Sequence, residues 1–119
     1  MKTTVQGKIG EDLACQYLQK QGYKIIERNF LIRGGEIDII ALDGQTLVYI
    51  EVKTRTSDQF GRPEEAVTAW KLRFLERAAK FYRNNRQRLK LPQLERIDVV
   101  AVDLSGIEPQ IDLIKNASF

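Results

Sequence analysis

Apolar and polar positions along the chain change period several times, and each change marks an element. From Gly7 to Lys20 the apolar residues recur at helical spacing, with Ala14, Cys15 and Leu18 on one stripe, and Gly22 ends the run. Tyr23 to Ile32 reads as a strand, less regular than the next two. Gly34 and Gly35 then break the chain. Glu36 to Leu42 and Thr46 to Arg55 are rich in β-branched residues and read as a hairpin across Asp43-Gly44. A polar loop, Thr56 to Arg62, leads to Pro63. That proline opens a long helix with Glu64 and Glu65 in its first turn, where the helix dipole favours acids. The helix is expected to run to about Asn85, and Arg86 to Leu94, with Pro92, is a connection. Glu95 to Asp103 and Gln110 to Ile114 are two further strands around a Ser105-Gly106 turn. The order α-β-β-β-α-β-β predicts an α/β fold, a mixed central sheet flanked by helices, with no repeat or linker.

Charged residues interrupt the hairpin where both faces otherwise look buried. Side chains alternate faces along a strand, so Ile37, Ile39 and Ala41 are expected on one face and Glu36, Asp38 and Ile40 on the other. Tyr49, Glu51, Lys53 and Arg55 share a face opposite Val48, Ile50 and Val52. A two-residue Asp43-Gly44 loop would set Asp38 against Tyr49. A loop from Asp43 to Thr46 would pair Leu42 with Leu47 and set Asp38 against Glu51. Either register puts Asp38, Glu51 and Lys53 on one side, with opposite Cβ atoms about 5 Å apart. Two carboxylates that close repel unless a cation separates them or one takes a proton. The spacing therefore favours a metal held by Asp38 and Glu51. Lys53 would stand beside it to polarise a water or to neutralise charge on a phosphoryl oxygen. A surface Glu-Lys pair on an exposed sheet face is the plainer alternative.

Composition narrows the chemistry. At 119 residues the chain has the length of about one domain, taken as 1–119, and 43% hydrophobic residues suffice for a core. One cysteine, Cys15, allows no disulfide within the chain and suits a reducing, cytoplasmic setting. Charged residues punctuate the first twenty positions, against an ordinary signal peptide, and no apolar run reaches the ~20 residues of a membrane span. There is no histidine, which excludes Ser-His-Asp and Cys-His nucleophile systems and histidine-ligated zinc. A metal held by oxygen ligands points to Mg²⁺ or Mn²⁺.

The net charge of +3 is unevenly spread. Between Lys71 and Lys90 eight basic residues face one acid, Glu76, a net +7 that leaves −4 elsewhere. A basic segment beside an acidic site suits a polyanion that meets a metal, although such runs are usually solvated helix faces. On this helix Val67, Trp70, Phe74, Leu75, Ala78, Phe81 and Tyr82 form an apolar arc, expected to be core. Lys71 falls inside the arc, where it either reaches a phosphate or snorkels to water. Arg73 and Lys80 lie on the polar face and Arg77 at its border. Glu11 is a second misfit, an acid within the first helix's apolar stripe, costly there unless paired or ligating. Gly7 and Gly10 would let that helix approach the sheet closely. Arg55 and the loop after it could contact a nucleic-acid backbone, or simply connect two elements.

An Asp on one strand and Glu-x-Lys on the next, between two helices of which the first carries a Glu, resembles the PD-(D/E)-x-K nuclease superfamily. Its members share a restriction-endonuclease-like core and include Holliday-junction resolvases. More closely, Gly35-Glu36-Ile37-Asp38-Ile39-Ile40, Tyr49-Ile50-Glu51-Val52-Lys53-Thr54-Arg55, Phe60-Gly61 and Pro63-Glu64-Glu65-Ala66-Val67 are similar to the YraN-like family. That is a bacterial group regarded as endonucleases without a known substrate. The likeness covers nearly the whole chain and departs in having Ile37 where the superfamily often has proline. It implies that Asp38 and Glu51 are metal ligands, Lys53 the catalytic lysine and Glu11 a further acid at the metal. The resulting expectation is an Mg²⁺- or Mn²⁺-dependent nuclease acting on nucleic acid, DNA before RNA and branched forms among them. Arg55, Lys71, Arg73, Arg77 and Lys80 would grip the backbone, and the small size leaves room for a homodimer. The alternative is a catalytically silent nucleic-acid-binding or protein-interaction module on the same fold.

Overall fold

The computed structural model of the chain describes residues 5–56 and 68–117. Two helices, α1 (Val5–Lys20) and α2 (Ala69–Asn85), flank a five-stranded sheet. Its strands are β1 (Lys24–Ile32), β2 (Gly35–Asp43), β3 (Thr46–Arg55), β4 (Leu94–Asp103) and β5 (Gln110–Ile114). They lie side by side in chain order, with β3 and β4 parallel and the other neighbours antiparallel. The parallel pair is the one between whose strands the chain passes through α2, as a parallel step requires a crossover. This is the α/β architecture with a mixed sheet that the periodicity predicts, in the predicted order.

Each helix covers one face. Ala14, Cys15 and Leu18 of α1 pack on Ile39, Ala41, Val48, Ile50, Val52, Val100 and Val102. On the other face Leu72, Phe74, Leu75, Ala78, Ala79 and Tyr82 of α2 pack on Phe30, Ile37, Ile40, Leu47, Tyr49 and Ile97. Burial on both sides explains why β2 and β3 read as nearly continuous apolar runs. α1 ends in a Schellman turn: Gly22 has φ +94°, its N–H donates to Gln19, and Tyr23 N–H donates to Leu18 at 2.9 Å. Among the described residues no helix is long and apolar enough to cross a membrane.

Three expectations need correction. The long helix begins at Ala69, not Pro63: Thr68 is extended (φ −83°, ψ 163°) and its hydroxyl accepts from Lys71 N–H at 3.1 Å, a side-chain cap. Residues 63–67, like most of the loop before them, lie outside the described residues. Trp70 and Phe81, assigned to the apolar arc, are 62% and 48% exposed. The arc that actually meets the sheet is narrower and centres on Leu72, Leu75, Ala78 and Tyr82. The third correction concerns the strand faces. Ile37 and Ile40 both pack under α2, whereas Ile39 and Ala41 pack under α1, so alternation slips within β2 beside Asp38.

Candidate metal centre

The hairpin register decides which carboxylates can meet. Leu42 pairs with Leu47, and Asp43 pairs with Thr46, so the connecting residues are Gly44 and Gln45. Gly44 has φ +60° while Gln45 is not among the positive-φ residues, the pattern of a II′ turn. Counted back along the strands, this register sets Asp38 against Glu51. Yet the ladder stops one pair earlier, at Ile39 with Ile50. Beyond it Val52 N–H donates to a carboxylate oxygen of Asp38 at 2.8 Å. A side chain has replaced a backbone carbonyl at the fork between β2 and β3, which fixes the Asp38 carboxylate in the gap between them.

Acids reach this fork from both sides of the sheet. From the α1 side come Glu11 and Glu36. One carboxylate oxygen each from Glu11, Glu36 and Asp38 lie within 4.8 Å of one another. From the α2 side comes Glu51, whose charge acts directly on Asp38. Each of the four retains under a tenth of its surface. The expected single-face trio is therefore corrected: Asp38 gathers with Glu11 and Glu36, and Glu51 closes on it from the opposite face. Lys53, two residues beyond Glu51 on β3, is exposed, and its charge is still felt by the Glu51 carboxyl.

Two close backbone approaches make the convergence possible. A Cβ on Gly10 would lie 1.9 Å from Thr54 Oγ1, so only glycine lets α1 settle on β3 at the residue before Glu11. This is the close approach that the glycines of α1 suggest from sequence. A Cβ on Gly35 would meet the Phe74 ring at 2.9 Å, so Gly35 admits α2 against the start of β2. Phe74 in turn carries the Lys71 ammonium 5.0 Å above its ring, and that ammonium lies 3.7 Å from Glu51 Oε1. Lys71 thus neither snorkels away nor stands free: its contact is the buried acid.

The electrostatics leave the cluster short of positive charge. Burial pushes the Asp38 carboxyl well above the usual carboxylate range, and the neighbouring Glu51 adds to it. Burial raises Glu51 as well, against the pull of Lys71 and Lys53. Arg28 lies 3.7 Å from Glu11, but its closer partner is Asp12 at 2.8 Å. Asn29 Nδ2 donates to Glu11 at 3.0 Å and to Glu36 at 3.5 Å. Buried Glu51 Oε1 has no hydrogen-bond partner. Four buried carboxyls face three cations: Lys71, the exposed Lys53, and an Arg28 shared with Asp12. Such a set holds together by keeping a proton or by taking a cation. The donors are all carboxylate oxygens, which suits Mg²⁺ or Mn²⁺ and not a thiolate- or imidazole-loving metal.

Other sequence candidates sit apart from the acids. Arg55 pairs with Asp103, its neighbour across the parallel ladder, at 3.2 Å. Arg73, Arg77 and Lys80 lie exposed on α2, with the Arg77 guanidinium 5.9 Å from the Phe74 ring. Sequence reasoning missed Glu36, Arg28 and Asn29 as members of the site. Glu36 could have been found, because it shares Asp38's parity two residues upstream. Asn29 left a fainter trace: it takes φ +53°, a conformation that asparagine tolerates better than most residues.

A family model described as "Uncharacterised protein family UPF0102" matches residues 10–102, a span that contains every acid of the cluster. Similar proteins carry the same family name. One from Geobacter metallireducens is 49% identical, over 93% of this chain and 89% of its own length. Another from Syntrophus aciditrophicus is 46% identical over 93% and 86%. A third from Caldicellulosiruptor saccharolyticus is 46% identical over 93% and 94%.

Proposed function

The chain belongs to the uncharacterised protein family UPF0102, and from that footing we propose that it is a divalent-metal-dependent nuclease that hydrolyses phosphodiester bonds in nucleic acid, DNA first. The observation that carries this reading is the meeting of Glu11, Glu36 and Asp38 within 4.8 Å, with Glu51 adjoining and one of its oxygens buried without a hydrogen bond. Glu11, Glu36 and Asp38 are the ligands proposed for Mg²⁺ or Mn²⁺, and Glu51 is the fourth carboxylate available to it. When bound, the cation supplies Lewis-acid stabilisation of charge on a phosphoryl oxygen and eases the loss of a proton from water.

The remaining roles belong to side chains. Val52 N–H holds Asp38 in place, and Asn29 orients Glu11 and Glu36, so the oxygens are set before substrate arrives. Lys53 is exposed beside Glu51, free in position to orient an attacking water or to meet a developing phosphoryl charge. Lys71 exchanges its contact with Glu51 for a substrate phosphate. The exposed cations of α2 attract the backbone, a contribution that falls as salt rises.

The test is cleavage of branched, flapped, single-stranded and linear DNA by the purified protein with Mg²⁺ or Mn²⁺. The wild type is expected to cut at least one of them, and Asp38→Ala and Lys53→Ala to lose at least a hundredfold in rate, on the order of 3 kcal/mol of transition-state stabilisation. Equal rates for wild type and both variants on every substrate would contradict the reading. The rival reading, a silent binding module, draws on the Lys71–Glu51 and Arg28–Glu11 contacts, which already offset part of the acid charge. It predicts salt-dependent binding that needs no metal and survives Glu51→Ala.

A further inference from the structure

The exposed face of α2 carries an unusual pair of side chains. Trp70, in the first turn, is 62% exposed, and Phe81, eleven residues on, is 48% exposed. Eleven residues turn a helix through about three full circles, so the two lie on one stripe roughly 16 Å apart. Arg77 falls on the same stripe and Arg73 beside it, both exposed. The helix's one acid, Glu76, lies about a third of a turn round from Trp70. Among the described residues this face of α2 is therefore aromatic and cationic, with the helix's one acid turned aside, a combination that fits a polyanion presenting flat rings.

Its position ties it to the acid cluster. Lys71, the residue after Trp70, reaches within 3.7 Å of Glu51 Oε1. Adjacent Cα atoms are about 3.8 Å apart, so Trp70 stands on the same turn of α2 that carries Lys71 to the carboxylates. We propose that Trp70 is a stacking platform for an unpaired base, and that the substrates of this chain are nucleic acids with single-stranded segments. The inference rests on the proposed nuclease reading for its choice of substrate and deepens it by naming the class. The physical ground is that an indole lying on a helix surface can stack only on a base that is free of its own duplex neighbours. Arg73 and Arg77 then follow the strand's phosphates along α2 toward Phe81.

The chain contains a single tryptophan, so its fluorescence reports this one position. The full-length protein in EDTA, which prevents cleavage, is titrated with a single-stranded DNA oligonucleotide and with a blunt duplex of the same length. Saturable quenching is expected with the single strand and little with the duplex. With a labelled strand, Trp70→Ala weakens single-strand affinity roughly 5- to 150-fold, the fold-change that corresponds to about 1–3 kcal/mol per stacked base, and Trp70→Phe recovers part of it. Duplex affinity is expected to change less than twofold in Trp70→Ala. Circular dichroism checks that the variants, changed at an exposed site, keep the fold. Equal quenching by both DNAs, no quenching, or unchanged single-strand affinity in Trp70→Ala would overturn the proposal. The two readings fail separately. Quenching in wild type and Asp38→Ala alike, without cleavage of any DNA, sinks the nuclease and leaves the platform standing. Cleavage that depends on Asp38, with single-strand binding indifferent to Trp70, does the reverse.

Discussion

Asp38 holds the fork between β2 and β3 through a bond from Val52 N–H at 2.8 Å, and an asparagine could keep that bond with its amide oxygen. The substitution thus separates the shape of the site from its charge. Because the folded-state pKa of Asp38 is raised, folded protein holds a proton that the unfolded chain releases once pH passes the ordinary carboxyl value of about 4. Below that value the carboxyl costs nothing. As pH rises toward and through the raised value, the burden on the fold grows and stability falls. Asp38→Asn removes that burden. In EDTA at pH 8 it is expected to be more stable than wild type by on the order of 1–2 kcal/mol, with the gap closing near pH 4. With Mn²⁺ the order reverses, because only wild type gains from binding. Thermal melts across pH, with and without the ion, check both signs. A variant less stable than wild type at pH 8 without metal would show that the site is not strained by its charges.

At the scale of elements, the site depends on how closely each helix can approach the sheet. Gly10→Ala would drive a methyl into Thr54 and push α1, with Glu11, off β3. A loss of about 1–3 kcal/mol is expected in urea melts, the usual range for overpacking. Gly10→Ala with Thr54→Ala should recover part of it, because the closest atom, Thr54 Oγ1, is then gone. Full stability in the single variant would mean that the approach matters little.

These elements were largely legible in the sequence. Glu11 betrayed itself as an acid within an apolar stripe, and the strand limits of β3 follow directly from its run of Thr, Leu, Val and Tyr positions. What the sequence hid was the slip in β2. Parity along a strand assumes an unbroken pleat, and at Asp38 the ladder ends and a carboxylate takes the backbone's place. No local pattern announces that, because its cause is the departure of one strand from its neighbour. Trp70 and Phe81 misled for a related reason. Period 3.6 gives the direction of a side chain but not the width of the face that its partner covers.

Across the whole molecule, polar groups are buried toward both ends of β2 and do different work. At the hairpin end Asp98, fully buried, accepts from Tyr23 O–H at 2.9 Å, Arg96 Nε at 2.9 Å and Asn116 N–H at 2.9 Å. Arg96 also donates to Asp43 at 2.6 Å. That network is satisfied, so it reads as a clamp joining β4 to β2 and to the chain after β5. At the other end the carboxyls of Glu11, Glu36, Asp38 and Glu51 outnumber their donors. Tyr23→Phe is therefore expected to cost about 1–3 kcal/mol of stability, a hydrogen bond to a charged group, and to leave Mn²⁺ affinity unchanged in calorimetric titration. A parallel loss of affinity would join two sites held here to be independent.

The most direct measurement is anomalous difference density from crystals of the wild-type protein soaked in Mn²⁺. A peak bounded by carboxylate oxygens of Glu11, Glu36 and Asp38 is expected, absent in Asp38→Asn. A fully soaked crystal with no peak there, or one in which Lys71 and Arg28 have moved in to neutralise all four acids, would contradict it.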